Sequence, residues 1–573
     1  MSPLDYGVLV ATMLGIAFYG MWKTRGQRTF QDYVKGESRV SWGTIGLGVM
    51  ATQASAITFL STPGQGFESG LGFVQNYFGM PFALIVVAAL FLPFYQRLKV
   101  LTAYEYLGRR FDGKTRLLGA CLFLLQRGLA SGITIYAPAI VLSTVFGWNL
   151  DLTILATGAL AIVYTVSGGN TAVSITQKYQ MLVIFAGMAT AFIIMLLRLP
   201  AGVSTVDALH IAGGFEKLNA VNFSFDLNER YTLWSGIFGG FFLSLSYFGT
   251  DQSQVGRYLS GTSLRESRLG LMFNAVFKIP MQAFILLLGV LLFVFYQFAP
   301  APVFFDRATW RQHVAAPGGE ALQAIEARYT VLVGEKRAAL EAWMKARADG
   351  ASAAEIAAAR DVVRAAHTRS EAVRKEAKEA LRAADPGVKV KDSDYVFITF
   401  ILEQLPVGVV GLLIAVIFAA ALSSVAAELS ALGSTTVVDL YRHVFRPTSG
   451  DGHGVVMSKV FTAFWGLVAI SFALFARLAE NLIEAVNILG SLFYGVVLGL
   501  FLVAFLLRRV GGTAVFTGAL LSQATVLVCY FTLDRVGYLW YNLIGCALCV
   551  LTSALLQPLI GGRSPGRPAS PVA

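Results

Sequence analysis

The stretch GTIGLGVMATQASAITFLSTPGQGF, Gly43 to Phe67, is apolar enough to cross a bilayer. Yet it carries small and hydroxyl residues through its middle and ends in a Pro-Gly-x-Gly breaker. Backbone groups in lipid find no outside partner, so a spanning segment of this composition must be helical. Where such a helix is interrupted at mid-membrane, its freed carbonyls can hold a small cation. A second weakened stretch, AAALSSVAAELSALGSTT, runs from Ala419 to Thr436 and invites the same expectation. Gly, Ala and Ser at these spacings also allow close helix packing, and composition alone leaves both readings open.

Working outward, a bilayer-spanning helix needs about 20 mostly apolar residues. Thirteen runs qualify, near 5–22, 42–62, 76–96, 117–146, 151–167, 174–198, 232–256, 269–297, 396–438, 456–476, 482–507, 513–533 and 537–559. Of the 573 residues 56% are apolar and only 14% charged, which excludes an ordinary soluble globule with its quarter or so of charged residues. The charge is concentrated: residues 300–392 hold 16 Lys/Arg and 13 Asp/Glu. The expected organisation is transmembrane helices 1–8 over 1–299, a soluble insertion at 300–392, helices 9–13 over 393–560, and a short cytoplasmic tail at 561–573.

Orientation follows from loop charge. Lys23, Arg25, Arg28, Lys35 and Arg39 follow the first span, and Arg97, Lys99, Arg109, Arg110, Lys114 and Arg116 the third. Arg257, Arg265 and Arg268 follow the seventh, Arg442 and Arg446 the ninth, Arg508 and Arg509 the eleventh, Arg563 and Arg567 the last. Every basic loop thus follows an odd-numbered span, which places the N-terminus outside and the C-terminus in the cytoplasm of a multi-pass plasma (inner) membrane protein. The net charge of +11 reflects these loops and does not argue for nucleic acid. Cys121, Cys529, Cys546 and Cys549 lie in apolar runs and read as packing residues. The N-terminal apolar stretch lacks the basic flank and cleavage site of a signal peptide.

The insertion falls on the outside. Ile325, Tyr329, Leu332, Leu340 and Trp343 recur at helical spacing, as do Ile356, Val363, Val373 and Leu381. This predicts an antiparallel hairpin over about 319–348 and 352–384 that turns at Asp349-Gly350. Its role is either a solvated hairpin of no chemistry or a face for protein contact.

Four further stretches carry a family resemblance: TAYEYLGRRF (Thr102–Phe111), SGGNTAVSITQKYQ (Ser167–Gln180), YFGTDQSQVGRYLSG (Tyr247–Gly261) and ALSSVAAELSALGSTTVVDLYR (Ala421–Arg442). In order and topology they resemble the sodium/solute symporter family, whose members include sodium-coupled sugar, proline, sialic acid, iodide and multivitamin carriers. The resemblance spans nearly the whole chain outside 300–392 and the extreme C-terminus. It implies an all-α, LeuT-like core of two inverted five-helix repeats, here spans 2–6 and 7–11. It also implies a co-transported sodium ion held by backbone carbonyls of Ala51, Ala54 and Ala420 and hydroxyls of Ser423 and Ser424. Oxygen ligands suit a hard cation; the two serines could instead back-bond to their own helix. The second sodium site of some relatives looks dismantled, because its carboxylate position is Gln177, followed by Lys178, and its hydroxyl positions are Ala426 and Ala427. One sodium per cycle is expected.

Intramembrane charges are costly and default to function. Arg127 resembles the position at which sialic acid carriers hold a carboxylate, a task that suits a bidentate guanidinium; pairing with Glu428 is the alternative. Asp251 is expected to pair with a loop arginine such as Arg257. Gln53, Gln75 and Asn76 are candidates for a polar solute pocket, or for plain helix–helix hydrogen bonds. Phe67, Phe73 and Tyr247 are gating or packing aromatics. No GxSxG, HExxH or Walker loop occurs, so an enzyme is disfavoured. The expected function is sodium-coupled symport of a small organic solute, with an anionic, carboxylate-bearing one favoured. The alternatives are a proton-coupled carrier and a non-transporting sensor or channel on the same fold.

Overall fold

The computed structural model describes residues 1–23, 41–200, 202–446, 450–475, 481–533 and 536–560. The basic residues Arg25, Arg28, Lys35 and Arg39, together with Arg563, Arg567 and the rest of the tail at 561–573, lie outside the described residues.

Among the described residues the regular structure is helical. We number the α-helices α1 Pro3–Lys23, α2 Trp42–Gln53, α3 Ala56–Ser69, α4 Met80–Val86, α5 Leu92–Leu98, α6 Tyr104–Arg110, α7 Gly113–Phe146 and α8 Leu150–Leu197. There follow α9 Thr205–Gly214, α10 Gly240–Thr250, α11 Gln252–Leu259, α12 Leu264–Phe298, α13 Arg307–Val314, α14 Glu320–Ala348 and α15 Ala353–Ala384. The chain closes with α16 Val396–Gln404, α17 Val409–Thr435, α18 Asp451–Phe475, α19 Leu482–Leu506, α20 Gly512–Thr532 and α21 Trp540–Ile560. Ten helical stretches among the described residues are long and apolar enough to cross a membrane. The expected thirteen differ from these partly through interruptions.

α8 is a single helix that contains both 151–167 and most of 174–198 and supplies two of the ten stretches. Gly168 and Gly169 lie between them. Each glycine costs a helix about 1 kcal/mol, and with no proline nearby that does not force a break. The interruptions also differ from expectation. The second span breaks as predicted, between α2 and α3, where Ala54 leaves helical geometry at φ −88°, ψ 69°. The ninth breaks elsewhere than expected: it is interrupted between α16 and α17, where Gly408 has φ 90°, while α17 runs unbroken through the Ala- and Ser-rich stretch, whose small side chains serve close packing against α8 and α7. The seventh span breaks instead. Asp251, extended at ψ 119°, ends α10 and caps α11 by accepting from the Ser253 amide at 2.9 Å. Spans 2 and 7, which hold corresponding positions of the two implied repeats, are thus both broken.

Small residues bring α3 against α12. A Cβ on Gly66 would stand 2.3 Å from the Leu286 carbonyl, and one on Gly289 would stand 2.0 Å from the Pro63 carbonyl. No larger residue fits either position. The hairpin α14–α15 turns at Gly350, whose φ of 69° suits glycine. Ile325, Tyr329, Leu340, Trp343, Val363, Val373 and Leu381 are buried. The hairpin also docks on the rest of the molecule. Arg364 donates to the Gly214 carbonyl at 2.7 Å and pairs with Glu216 at 3.0 Å, and Lys391 pairs with Glu68 at 3.2 Å.

Candidate functional site

The break between α2 and α3 faces α17. Ser424 Oγ donates to the Ala51 carbonyl at 3.3 Å. Ser423 Oγ is buried without a hydrogen bond, and Ala54 and Ala420 are buried with it. The five sequence-predicted sodium positions thus lie on the two elements that meet here. At the second set of positions, Gln177 Nε2 donates to Thr52 Oγ1 at 3.2 Å. Ala426 and Ala427 pack with Tyr164 in a small apolar cluster, so neither methyl offers an oxygen. The side chain of Lys178 lies outside the description.

Beside the break lies a cavity of about 100 Å³, walled by Gln53, Ser55 and Thr58 from the broken span, Asn76 and Tyr77, Arg127 and Thr134 of α7, Ser244 and Tyr247 of α10, Glu428 of α17, and Asn487 and Tyr494 of α19. Gln53, Asn76 and Arg127 were predicted. Gln75 is not part of the wall: its Nε2 donates to the Gly72 and Tyr231 carbonyls, both at 3.1 Å, and its Oε1 accepts from the Asn222 amide at 2.9 Å. It ties a loop to the bundle. Phe67 packs on Phe293, Tyr296 and Phe305, away from this cavity, whereas Tyr247 stands with its ring 5.4 Å from the Arg127 guanidinium.

Arg127 is almost fully buried and paired twice. Its Nε reaches Asp251 Oδ2 at 3.0 Å, with a second contact from Nη2 to the same oxygen. Nη1 reaches Glu428 Oε1 at 3.2 Å. Tyr494 donates to Asp251 Oδ2 at 2.9 Å. The expected Asp251–Arg257 pair gives way to Asp251–Arg127, because the break at Asp251 turns its carboxylate inward while its other oxygen caps α11. The premise that Arg127 awaits an incoming carboxylate is corrected in the same step: its charge is met by two resident ones.

Three acceptor atoms of the cavity residues are buried without hydrogen bonds: Gln53 Oε1, Asn76 Oδ1 and Glu428 Oε2. Sequence reasoning missed Asn487, Ser244 and Thr134, which carry no motif, and Lys278 of α12. Lys278 is 1% exposed and makes no hydrogen bond or ion pair among the described residues. Its Nζ stands 5.5 Å from the Tyr77 ring. A lysine in an apolar run was its signal.

The family model described as "Sodium:solute symporter family" matches residues 33–306 and 378–522, leaving out 307–377, most of the hairpin. The chain is 32% identical to the human sodium/iodide cotransporter over 297 residues, 51% of this chain and 45% of that protein. It thus spans under half the length of that relative. It is 23% identical to the sodium/sialic acid symporter SiaT of Proteus mirabilis over 566 residues, 97% of this chain and 95% of that protein. Among solved structures, a substrate-bound outward-open Na+-coupled sialic acid symporter superposes with a TM-score of 0.74 at 22% identity, covering 97% of this chain and 98% of that one. It shares the fold. With the broken spans and the family match in hand, the chain is a multi-pass membrane protein that belongs to the sodium:solute symporter family.

Proposed function

We propose that this protein is a sodium-coupled symporter of a small polar solute, working by alternating access with one sodium ion per cycle. One observation carries the reading: the Ser424 hydroxyl meets the carbonyl end of the broken α2, and the neighbouring Ser423 Oγ is buried without a partner among the described residues. Ala51, Ala54, Ala420, Ser423 and Ser424 would supply oxygen ligands only, which bind sodium weakly enough to release it on the other side. Gln177, Ala426 and Ala427 support the single stoichiometry. The relatives are named as carriers of iodide and sialic acid, and transport rather than catalysis is the activity proposed here.

The unpartnered acceptors Gln53 Oε1, Asn76 Oδ1 and Glu428 Oε2 favour a solute that brings hydroxyl or amino donors. A carboxylate-bearing solute, the expectation from sequence, would have to draw Arg127 away from Asp251 and Glu428. Gln75 has no part in the proposed pocket. Loop charge supports an N-terminus outside, a C-terminus in the cytoplasm and a hairpin outside a plasma (inner) membrane. A cysteine at Ala353 should therefore react with an impermeant reagent in intact cells, and reaction only after lysis would reverse the orientation.

The buried, unpartnered Lys278 and the free Glu428 oxygen favour a second reading, in which a proton replaces sodium. Proteoliposomes separate the two. An inward sodium gradient should drive solute accumulation and a proton gradient alone should not; the reverse result selects the proton. Sodium activation should be hyperbolic, with a Hill coefficient near one.

A further inference from the structure

A second cavity, of about 280 Å³, lies between the hairpin and the ends of α3 and α12. Its apolar floor is Phe67, Phe293 and Tyr296, and its polar walls come from both the hairpin and the bundle. Lys336, Arg374 and Lys378 reach it from the hairpin and Lys217 from the loop after α9. Only two carboxylates, Glu68 and Glu371, line it.

The pairing leaves cations over. Asp392 is held by Arg374 at 2.8 Å and Lys378 at 2.6 Å. Glu68 is held by Lys391 at 3.2 Å. Glu371 approaches Arg374 at 3.8 Å. Among the described residues Lys217 Nζ reaches the Glu68 carbonyl and the Phe293 ring but no carboxylate. Lys336 is 3% exposed, lines the cavity, and makes no hydrogen bond or ion pair among the described residues. His367 Nδ1 is also buried without a partner. Its ring is wedged against Phe215 and Phe293, and burial pushes its pKa down to about 4, so it is neutral at pH 7. Among the described residues four cations, Lys217, Lys336, Arg374 and Lys378, line the cavity against Glu68 and Glu371, with Asp392 held by Arg374 and Lys378. Burying an ammonium without a partner is costly, so the arrangement favours an occupant that supplies negative charge and several acceptors.

We propose that this cavity is a binding site for one small oxyanion, a phosphate or a carboxylate, held by Lys336 and Lys217 with His367 at its side. The family model skips residues 307–377, which supply Lys336, His367, Glu371 and Arg374, so the site belongs to this chain's insertion rather than to the transport core. It joins the hairpin to α3, the half of the broken span that leads to the central cavity, and an anion here fastens the two together.

The test is isothermal titration of the purified full-length protein in sodium-free choline buffer at pH 7, with inorganic phosphate and, separately, acetate. Omitting sodium keeps the result independent of the transport reading. Wild-type protein should give saturable one-to-one binding of at least one anion. Lys336→Gln should weaken that binding tenfold or more. Lys217→Gln should weaken it as well, and serves alone if the first variant fails to fold. Lys375→Gln, on the exposed side of the hairpin, should leave it unchanged. Three results would each overturn the proposal: no saturable binding of either anion, equal binding in wild type and the Lys336 and Lys217 variants, or equal weakening by Lys375→Gln.

Discussion

The two cavities solve the problem of buried charge in opposite ways. In the central one the single arginine among its walls is met by two carboxylates and a tyrosine, and what remains unpaired is a set of acceptor oxygens. In the hairpin cavity the carboxylates are already taken and what remains unpaired is cationic. Within the bilayer a buried charge is costly; Arg127 is met by resident carboxylates there, while Lys278 has no hydrogen bond or ion pair among the described residues. A site beyond the membrane, near water, can hold spare ammonium groups for an anion. The first cavity thus offers acceptors to a ligand with donors, the second cations to a ligand with acceptors.

The sharpest way to break this contrast is to remove a central charge. Arg127→Met leaves Asp251 and Glu428 facing each other without a cation, which should cost about 3–5 kcal/mol. Thermal unfolding in detergent should show a large fall in midpoint or loss of folded protein. Lys336→Met in the hairpin cavity removes a cation that has no partner to strand, and should leave the midpoint unchanged or raise it. Equal destabilisation by the two variants would erase the distinction.

Smaller in effect is the proposed ion site. Ser423→Ala with Ser424→Ala should raise the sodium concentration for half-maximal uptake about tenfold, equivalent to about 1.4 kcal/mol, and sodium-dependence curves in proteoliposomes measure this. Smaller again, Asn76→Ala removes an acceptor that has no protein partner. It should weaken solute affinity several-fold, in line with about 0.5–1.5 kcal/mol per hydrogen bond, with little change in unfolding midpoint.

The smallest effect is a pH dependence confined to the hairpin cavity. Burial pushes Lys336 and Lys217 down to about 8, with nearby Glu371 opposing it in both. Between about 8 and their ordinary value near 10.4 the unfolded chain holds protons that the folded chain has lost, so their contribution to stability rises with pH across that window. The gap in midpoint between wild type and Lys336→Met should therefore narrow as pH is raised from 7 to 10. His367 acts below neutrality, since its folded pKa near 4 lies under the unfolded value near 6.5. Its contribution falls as pH drops from about 6.5 to 4, and His367→Phe should flatten that acid limb.

Much of this was legible from residues alone. The run lengths announced a polytopic helical protein, the break after Gln53 was written in the small residues of its span, and the hairpin turned where Asp349-Gly350 required it, whereas the Pro-Gly-x-Gly segment expected to end the span lies inside α3. Ser423 and Ser424 came from a motif. Other features were not legible. The Ala- and Ser-rich ninth span could be an interrupted helix or a closely packed one, and only its contacts with α7 and α8 select the second. Asp251 offered a D-x-S cap signature inside an apolar run, but a cap at mid-span reads as a span end until the fold shows the helix resuming.

The sequence by itself determined much that is local: which segments are apolar and helical, and where the hairpin turns. Hydrophobicity, capping and backbone sterics act over a few residues and leave their mark there. The tertiary structure alone decided which distant groups share a space. Arg127 and Glu428 are 301 residues apart, and Lys336 meets Lys217 and Glu68 only because the hairpin folds back on the bundle. Whether a buried charge is a ligand-binding group or half of an ion pair depends on what stands within a few ångströms of it. Coulomb and desolvation energies depend on that separation in space, and separation along the chain does not set it.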